Sequence, residues 1–303
     1  MIVTQMTPTE AEFKPRGYCG RFAPSPTGPL HFGSLVAAFG SFLRARSQGG
    51  RWLLRIENTD HPRVVSGAAQ LQMDALARFG LEWDGDPMWQ SQRDHAYRAA
   101  LGQLDALNLL YECRCSRSEL AGDIHRQCVS QRQHGPAAIR LRLPDQCLHW
   151  LDGIRGAQPQ NLAQEVGDVV LWRADGLVAY QLAVVVDDAE QGITEVVRGA
   201  DLLDSSARQI HLHRLLGHAP PTFAHLPLAL DAAGHKLGKS QQALAINPDR
   251  PMPMLRAAWA FLGQNPQVLA DVGSVPALLD VAIAGFDWSR IPSRDQTISE
   301  LAE

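Results

Sequence analysis

This chain of 303 residues predicts an α/β fold, a doubly wound parallel sheet with an insertion and a small helical C-terminal region. Three observations predict it. Short apolar runs of strand character alternate with stretches whose apolar residues recur at helical spacing. The turn Arg21-Phe-Ala-Pro-Ser-Pro-Thr-Gly-Pro-Leu-His-Phe-Gly-Ser34 joins the first such run to the first such helix through prolines, glycines and hydroxyls, a layout suited to holding phosphate. From about residue 111 to 175 the alternation breaks into cysteines, Gly-Pro and Gln-rich pieces, and afterwards it resumes.

The first strand falls within residues 18–23. Phe32, Leu35, Val36, Phe39, Phe42 and Leu43 then share one face of a helix that opens at His31 and Ser34. Its unpaired N–H groups and positive dipole end face whatever lies above the strand. Arg51-Trp-Leu-Leu-Arg-Ile56 reads as a strand buried on both faces, and Glu57, Asn58 and Asp60 leave its carboxyl end, where open α/β sheets bind ligands. Helical patterns follow over residues 68–79, closed by Gly80, and through Tyr97, Ala100, Leu101, Leu104 and Leu107. Inside the insertion, residues 138–143 read as a strand. Residues 176–188 lead through a long apolar run to a strand at 193–198, a helix at 205–216 and a last strand at 223–230. Short helical patterns at 254–262 and 275–284 finish the chain. No Gly-x-Gly-x-x-Gly occurs, which argues against a dehydrogenase-type dinucleotide site. The expected boundaries are 1–110 for the first half of a nucleotide-binding catalytic domain, 111–175 for the insertion, 176–245 for the second half and 246–303 for the helical region.

No apolar run is long enough to span a bilayer, and the first residues lack the basic-then-apolar layout of a signal peptide, so the expected location is the cytoplasm. Net charge is -4, which does not announce a nucleic-acid binder. Residues 113–142 nevertheless hold six arginines against only Glu119 and Asp123, a local basic patch or a solvated arginine-rich face. Five cysteines, an odd number, argue against a disulfide framework. Cys113, Cys115 and Cys128 cluster in sequence, and His125 completes a four-ligand set for tetrahedral zinc; spacing alone leaves unrelated buried thiols open. His61, His211, His213 and His225 read as structural or solvated rather than as ligands.

The chain has three lysines, and two lie in His235-Lys-Leu-Gly-Lys-Ser240. A compact ammonium suits a phosphate where a wide guanidinium fork does not fit, which singles out Lys236 and Lys239. Gly238-Lys-Ser240 matches the end of a Walker P-loop, but Ala233 stands where that motif needs its earlier glycine.

Together these segments resemble the two signature blocks of the class I aminoacyl-tRNA synthetases, with His31-Phe-Gly-Ser34 as the "HIGH" block and Lys236-Leu-Gly-Lys-Ser240 as the "KMSKS" block. The wording of the first turn, with Arg55-Ile-Glu-Asn-Thr-Asp60 and Val196-Val-Arg-Gly-Ala-Asp201, is similar to the glutamyl branch, in the family's order over residues 20–240. Ser34 replaces the second histidine of the first block, and Gly238 replaces the first serine of the second. The resemblance implies a Rossmann-like catalytic domain that uses ATP with Mg2+. It implies catalytic roles for His31, Lys236 and Lys239, with Lys239 stabilising the transition state, and ATP contacts from His31, Gly33, Ser34, Lys236 and Lys239. For glutamate it implies Arg21, Arg198 and Tyr180 at the carboxylate end, Glu57 at the ammonium, and Ala23 and Ser25 as lining.

Only 63 residues follow Ser240, enough for a stem-contact-like region and too few for an added anticodon-binding domain of about 100 residues. With the Cys-x-Cys insertion, this layout resembles a truncated glutamyl-type branch that carries Zn2+ in the insertion. That branch has a tyrosine before its third cysteine; none lies between Cys115 and Cys128, and His125 is the substitute ligand. The resemblance then implies a monomer that activates L-glutamate without tRNA and transfers it to queuosine in the anticodon loop of tRNA(Asp), with no membrane involved. Two other readings stay open: a short glutamyl-tRNA synthetase charging the tRNA 3' end, and a catalytically inactive tRNA-binding paralogue.

Overall fold

Two strand–helix units meet edge to edge in the middle of a parallel sheet, and the meeting line is where the chain leaves room for a ligand. The computed structural model describes residues 17–116, 118–120, 124–231, 234 and 246–297. The first unit runs β1 (Cys19–Phe22), α1 (Phe32–Ser47), β2 (Arg51–Ile56), α2 (Ala68–Arg78), β3 (Met88–Trp89) and α3 (Asp94–Ala106). Its strands are parallel in the order β1-β2-β3, with Cys19 opposite Arg51 and Arg55 opposite Met88. The insertion follows as β4 (Leu110–Cys113), β5 (Ala138–Leu141), β6 (Cys147–Asp152), β7 (Gly156–Asn161) and β8 (Val169–Trp172). The second unit comprises α4 (Tyr180–Gln191), β9 (Glu195–Gly199), α5 (Ser206–Leu215) and β10 (Thr222–Leu226). After it come β11 (Ala229–Leu230), α6 (Pro251–Phe261), α7 (Val275–Gly285) and β12 (Gln296–Thr297).

β9 and β10 are parallel, and β6 flanks β10 through Asp152 opposite Phe223, so the β6–β7 hairpin of the insertion extends the second half of the sheet. β4, β5 and β8 form a separate antiparallel sheet. The halves join at the amino ends of β1 and β9. Thr194 donates its amide to the Cys19 carbonyl at 2.9 Å, and the Cys19 amide donates to Thr194 Oγ1 at 2.9 Å. From β1 the chain moves outward to β2, and from β9 it moves outward the other way to β10, which makes this seam the topological switch point.

The strands alternate between two cores, as a sheet covered by helices on both faces requires. Trp52, Leu54 and Ile56 point into the cluster built with α1, α2, α6 and α7, while Leu53 faces the cluster built with α3, α4 and α5. Leu54 and Ile56 are at most 1% exposed, which stabilises the fold by roughly 2 kcal/mol each. Phe32 meets Phe261 edge-on at 5.7 Å and ties α1 to the C-terminal helices.

Several bounds differ from the sequence expectation for identifiable reasons. The apolar run at 182–186 lies within α4, which Gly192 ends in the left-handed conformation at φ 67°. The Ile193 amide donates back to the Asp188 carbonyl at 2.9 Å and closes that helix, so β9 starts at Glu195 rather than at 193. The expected strand at 223–230 is divided into β10 and β11 around Pro227, which has no N–H for a ladder. Lys236 and Lys239 lie outside the described residues, as does Lys14. Among the described residues no helix is long and apolar enough to cross a membrane.

Candidate active site

The carboxyl ends of β1 and β9 open into a cavity of about 630 Å³. The turn after β1 forms one wall, and its path is fixed from α2. Gln72, 2% exposed, donates from Nε2 to the Ser25 carbonyl at 3.2 Å and to the Gly28 carbonyl at 2.7 Å. The Glu57 amide donates to the Pro24 carbonyl at 3.0 Å, so the residue leaving β2 is pinned beside the turn leaving β1.

His31 is the N-cap of α1. Its Nδ1 accepts the Ser34 amide at 3.2 Å, so the ring's proton resides on Nε2, and the Phe32 and Gly33 amides lie outside the intrahelical ladder. Gly33 leaves room for this ring: a Cβ there would stand 3.2 Å from His31 Cε1, and the ring would have to give by a few tenths of an ångström. At Gly199 a Cβ would lie 2.6 Å from an Asp201 carboxylate oxygen, so the Asp201 side chain would have to move.

Below the cavity lies a buried ionic group that spans both halves of the sheet. Asp188 of α4 faces Arg21 Nε at 3.2 Å and Arg55 Nη2 at 2.8 Å, and Arg55 is 3.6 Å from Glu57. Burial raises the Asp188 carboxyl, but Arg55 and Arg21 outweigh it and hold Asp188 below the usual range. Burial also pushes Glu57 up to about 7, against the pull of Arg55 and Arg21 and with the Asp188 charge reinforcing it. Behind this group, Asp187 accepts from Gln90 Nε2 at 2.8 Å, Arg93 Nε at 2.6 Å and Tyr97 Oη at 2.8 Å.

Arg198 differs from Arg21. It leaves β9 buried, and its guanidinium donates to His225 Nε2 at 3.0 Å, Gln209 Oε1 at 2.8 Å, Ser206 Oγ at 3.0 Å and the Leu202 carbonyl at 3.1 Å. All four acceptors are uncharged, so among the described residues no carboxylate contacts the positive charge, and burial lowers its pKa. Tyr180, the first residue of α4, places its phenol in the same cavity, where burial raises it.

Arg21, Ala23, Ser25, His31, Gly33, Ser34, Glu57, Tyr180 and Arg198 therefore all line one cavity, although they come from β1, the following turn, α1, β2, α4 and β9. The residues that hold them were not anticipated: Arg55, Gln72, Asp152, Asp188, Gln209 and His225. One signal was available, since Asp187 and Asp188 follow five apolar residues in a row, and carboxylates inside a buried helix need cations nearby.

In the insertion, Cys113, Cys115 and Cys128 bring three sulfurs within 4.8 Å of one another. Backbone amides point at two of them, Val129 to Cys115 at 3.3 Å and Arg114 to Cys128 at 3.4 Å. Amides aimed at sulfur favour thiolate, so this donor set fits a tetrahedral zinc site. His125 Nε2 lies 3.3 Å from Cys113 Sγ and is outside the set whose atoms all fall within 4.8 Å of one another.

Comparison with known proteins places the chain in a family. A family model described as "tRNA synthetases class I (E and Q), catalytic domain" matches residues 19–133 and 123–250. A glutamate tRNA ligase of Elizabethkingia meningosepticum, solved in complex with its amino acid, superposes with a TM-score of 0.79 at 27% identity, over 94% of this chain and 67% of its own. The chain belongs to the class I tRNA synthetases of the E and Q type. Curated relatives narrow the assignment. A glutamyl-Q tRNA(Asp) synthetase of Xanthomonas campestris pv. campestris is 53% identical over 91% of this chain and 93% of its own. One from Burkholderia cenocepacia is 52% identical over 90% of this chain and 97% of its own. Within the class, this chain is a member of the glutamyl-Q tRNA(Asp) synthetase family of ligases.

Proposed function

We propose that the protein activates L-glutamate with ATP, without requiring tRNA, and transfers the glutamyl group to queuosine in the anticodon loop of tRNA(Asp). The observation that carries this reading is the pairing of opposite chemistries in one cavity. A buried guanidinium, Arg198, has no contacting carboxylate among the described residues, and a carboxylate, Glu57, stands across the seam beside Arg55. An amino acid with an acidic side chain supplies a partner for each: its side-chain carboxylate for Arg198, with Arg21 and Tyr180, and its ammonium for Glu57. Ala23 and Ser25 complete the pocket wall.

The nucleotide belongs at the start of α1, where the helix amides, His31, Gly33 and Ser34 meet the phosphates. A cavity of about 630 Å³ accommodates a small amino acid with part of a nucleotide. The glutamate α-carboxylate attacks the α-phosphorus, the bond to pyrophosphate breaks, and charge develops on the phosphoryl oxygens. Lys236 and Lys239, with the α1 amides, stabilise that charge by preorganised electrostatics. A hydroxyl of queuosine then attacks the glutamyl carbonyl, loses its proton and displaces AMP. Mg2+ accompanies ATP, held by phosphate and water. Cys113, Cys115 and Cys128 would hold Zn2+, with His125 having to move closer to serve as a fourth ligand, and the ion would supply a structural cross-link in the insertion. The protein acts as a cytoplasmic monomer.

The test is incubation with ATP and labelled glutamate of tRNA(Asp) carrying queuosine and of the same tRNA lacking it. Label is expected on the first alone. Equal labelling of both, or label on the 3' adenosine, overturns the acceptor assignment.

A further inference from the structure

Arg198 is linked to the insertion through His225, which is not itself among the residues lining the cavity. Asp152 is the last residue of β6, and His225 lies on the adjacent β10, two residues beyond the Phe223–Asp152 register pair. Both side chains are fully buried, and His225 Nδ1 stands 2.5 Å from Asp152 Oδ2. The remaining oxygen, Oδ1, accepts the amides of Arg155 at 2.8 Å, Ile154 at 3.0 Å and His225 at 3.1 Å. The carboxylate is thus clamped by three backbone donors before the imidazole meets it.

That geometry fixes the tautomer. An ionised carboxylate only accepts, so His225 Nδ1 carries the hydrogen. Arginine only donates, so His225 Nε2, at 3.0 Å from Arg198 Nε, is the unprotonated nitrogen. A second ring proton would set N–H against N–H. The ring itself is held flat by stacking on Phe223, at 6.3 Å between centroids and 5° between planes. With Nε bound to the histidine, the guanidinium plane is settled, and Gln209, Ser206 and Leu202 take three of the four terminal hydrogens.

We infer that Asp152 and His225 are positioning residues that orient Arg198 toward an anionic ligand group in the cavity. On the proposed reading of this site, that group is the glutamate side-chain carboxylate, and the inference rests on that reading. Neither residue touches the substrate; they act by keeping a proton acceptor under the Nε edge of the guanidinium.

Asp152→Asn keeps an oxygen for the backbone amides but turns an NH2 toward His225 Nδ1, which moves the ring hydrogen to Nε2 and sets it against Arg198. His225→Phe keeps the stacked ring without either nitrogen. His225→Gln returns an acceptor near the Nε2 position. Glutamate-dependent ATP–pyrophosphate exchange, with the ATP KM and the melting temperature measured on the same preparations, separates the outcomes. Asp152→Asn and His225→Phe should raise the glutamate KM by about 10-fold or more with the ATP KM within about twofold, and His225→Gln should recover most of that loss. If Asp152→Asn does not fold, the contrast between His225→Gln and His225→Phe decides. A glutamate KM unchanged in His225→Phe, or both KM values rising together with no recovery in His225→Gln, overturns the inference. Absence of glutamate-dependent exchange in the wild-type protein defeats the functional reading instead.

Discussion

Arg21 Nε and Asp188 Oδ1 meet at 3.2 Å across 167 residues of sequence, each side chain 4% exposed, and this contact fastens the first strand of one half-sheet to the first helix of the other. Asp188 also serves Arg55, which is fully buried, so one carboxylate balances two cations beneath the cavity floor. The arrangement is conditional on that charge. Removing one member of such a group leaves the others buried and unpaired, which costs far more than the intact group contributes.

Asp188→Asn is therefore expected to lower unfolding free energy by about 3 kcal/mol, measured as a shift in the urea midpoint at constant slope. It should also lower the Glu57 pKa, because Asp188 is among the charges that raise it. An unchanged midpoint would contradict the pairing.

Glu57 gives the ligand-binding pH dependence a definite direction. With its carboxyl at about 7, and on the proposed reading that the ionised form meets the glutamate ammonium, binding weakens as Glu57 is protonated. Glutamate affinity should fall about 10-fold from about pH 8 to about pH 6, as the ionised fraction falls. Stability moves the opposite way. A carboxyl raised in the fold from the ordinary 4.5 contributes stability that is complete below that value and is lost as pH rises through about 7. Calorimetric titration should show the affinity trend, and Glu57→Gln should flatten both it and the pH dependence of the melting temperature.

Most of the strand and helix order was legible in the sequence, because a short apolar run at 51–56 and a period of 3.6 at 68–79 are directly visible. Most of the named cavity-lining residues were picked out by the family resemblance, helped by their places at strand ends and in the turn from residue 21 to 34, while Tyr180 opens a helix. The residues behind them were not. Asp152 lies in an insertion whose sequence has no sheet rhythm, and its pairing with His225, 73 residues later, depends on β6 docking beside β10. Gln72 looks like an ordinary polar helix residue until its side chain is seen bonded to the turn. Side-chain partners that far apart leave no periodic trace.

The cysteine cluster predicts one zinc ion per chain, measured by atomic emission after exhaustive dialysis. Cys115→Ser should abolish the metal, whereas His125→Ala should weaken retention against a chelator without abolishing it, because the three sulfurs converge without the imidazole. Stoichiometric zinc in Cys115→Ser would contradict the assignment.

Lys239→Ala should slow adenylate formation by about 100-fold or more while leaving glutamate affinity within about twofold, since its ammonium is proposed to meet charge that develops only in the transition state. Pyrophosphate exchange alongside calorimetric glutamate binding separates the two effects. A parallel loss of both would assign Lys239 to ground-state binding.

The central proposal is that the cavity between β1 and β9 holds glutamate and ATP together and that the protein joins them without tRNA. Its most direct test is ATP–pyrophosphate exchange by the wild-type protein with glutamate as the sole added amino acid and no tRNA present. The account predicts rapid exchange with glutamate, little with glutamine or aspartate, and no acceleration on adding tRNA. Exchange that begins only when tRNA is supplied, or that proceeds equally with glutamine, would contradict it.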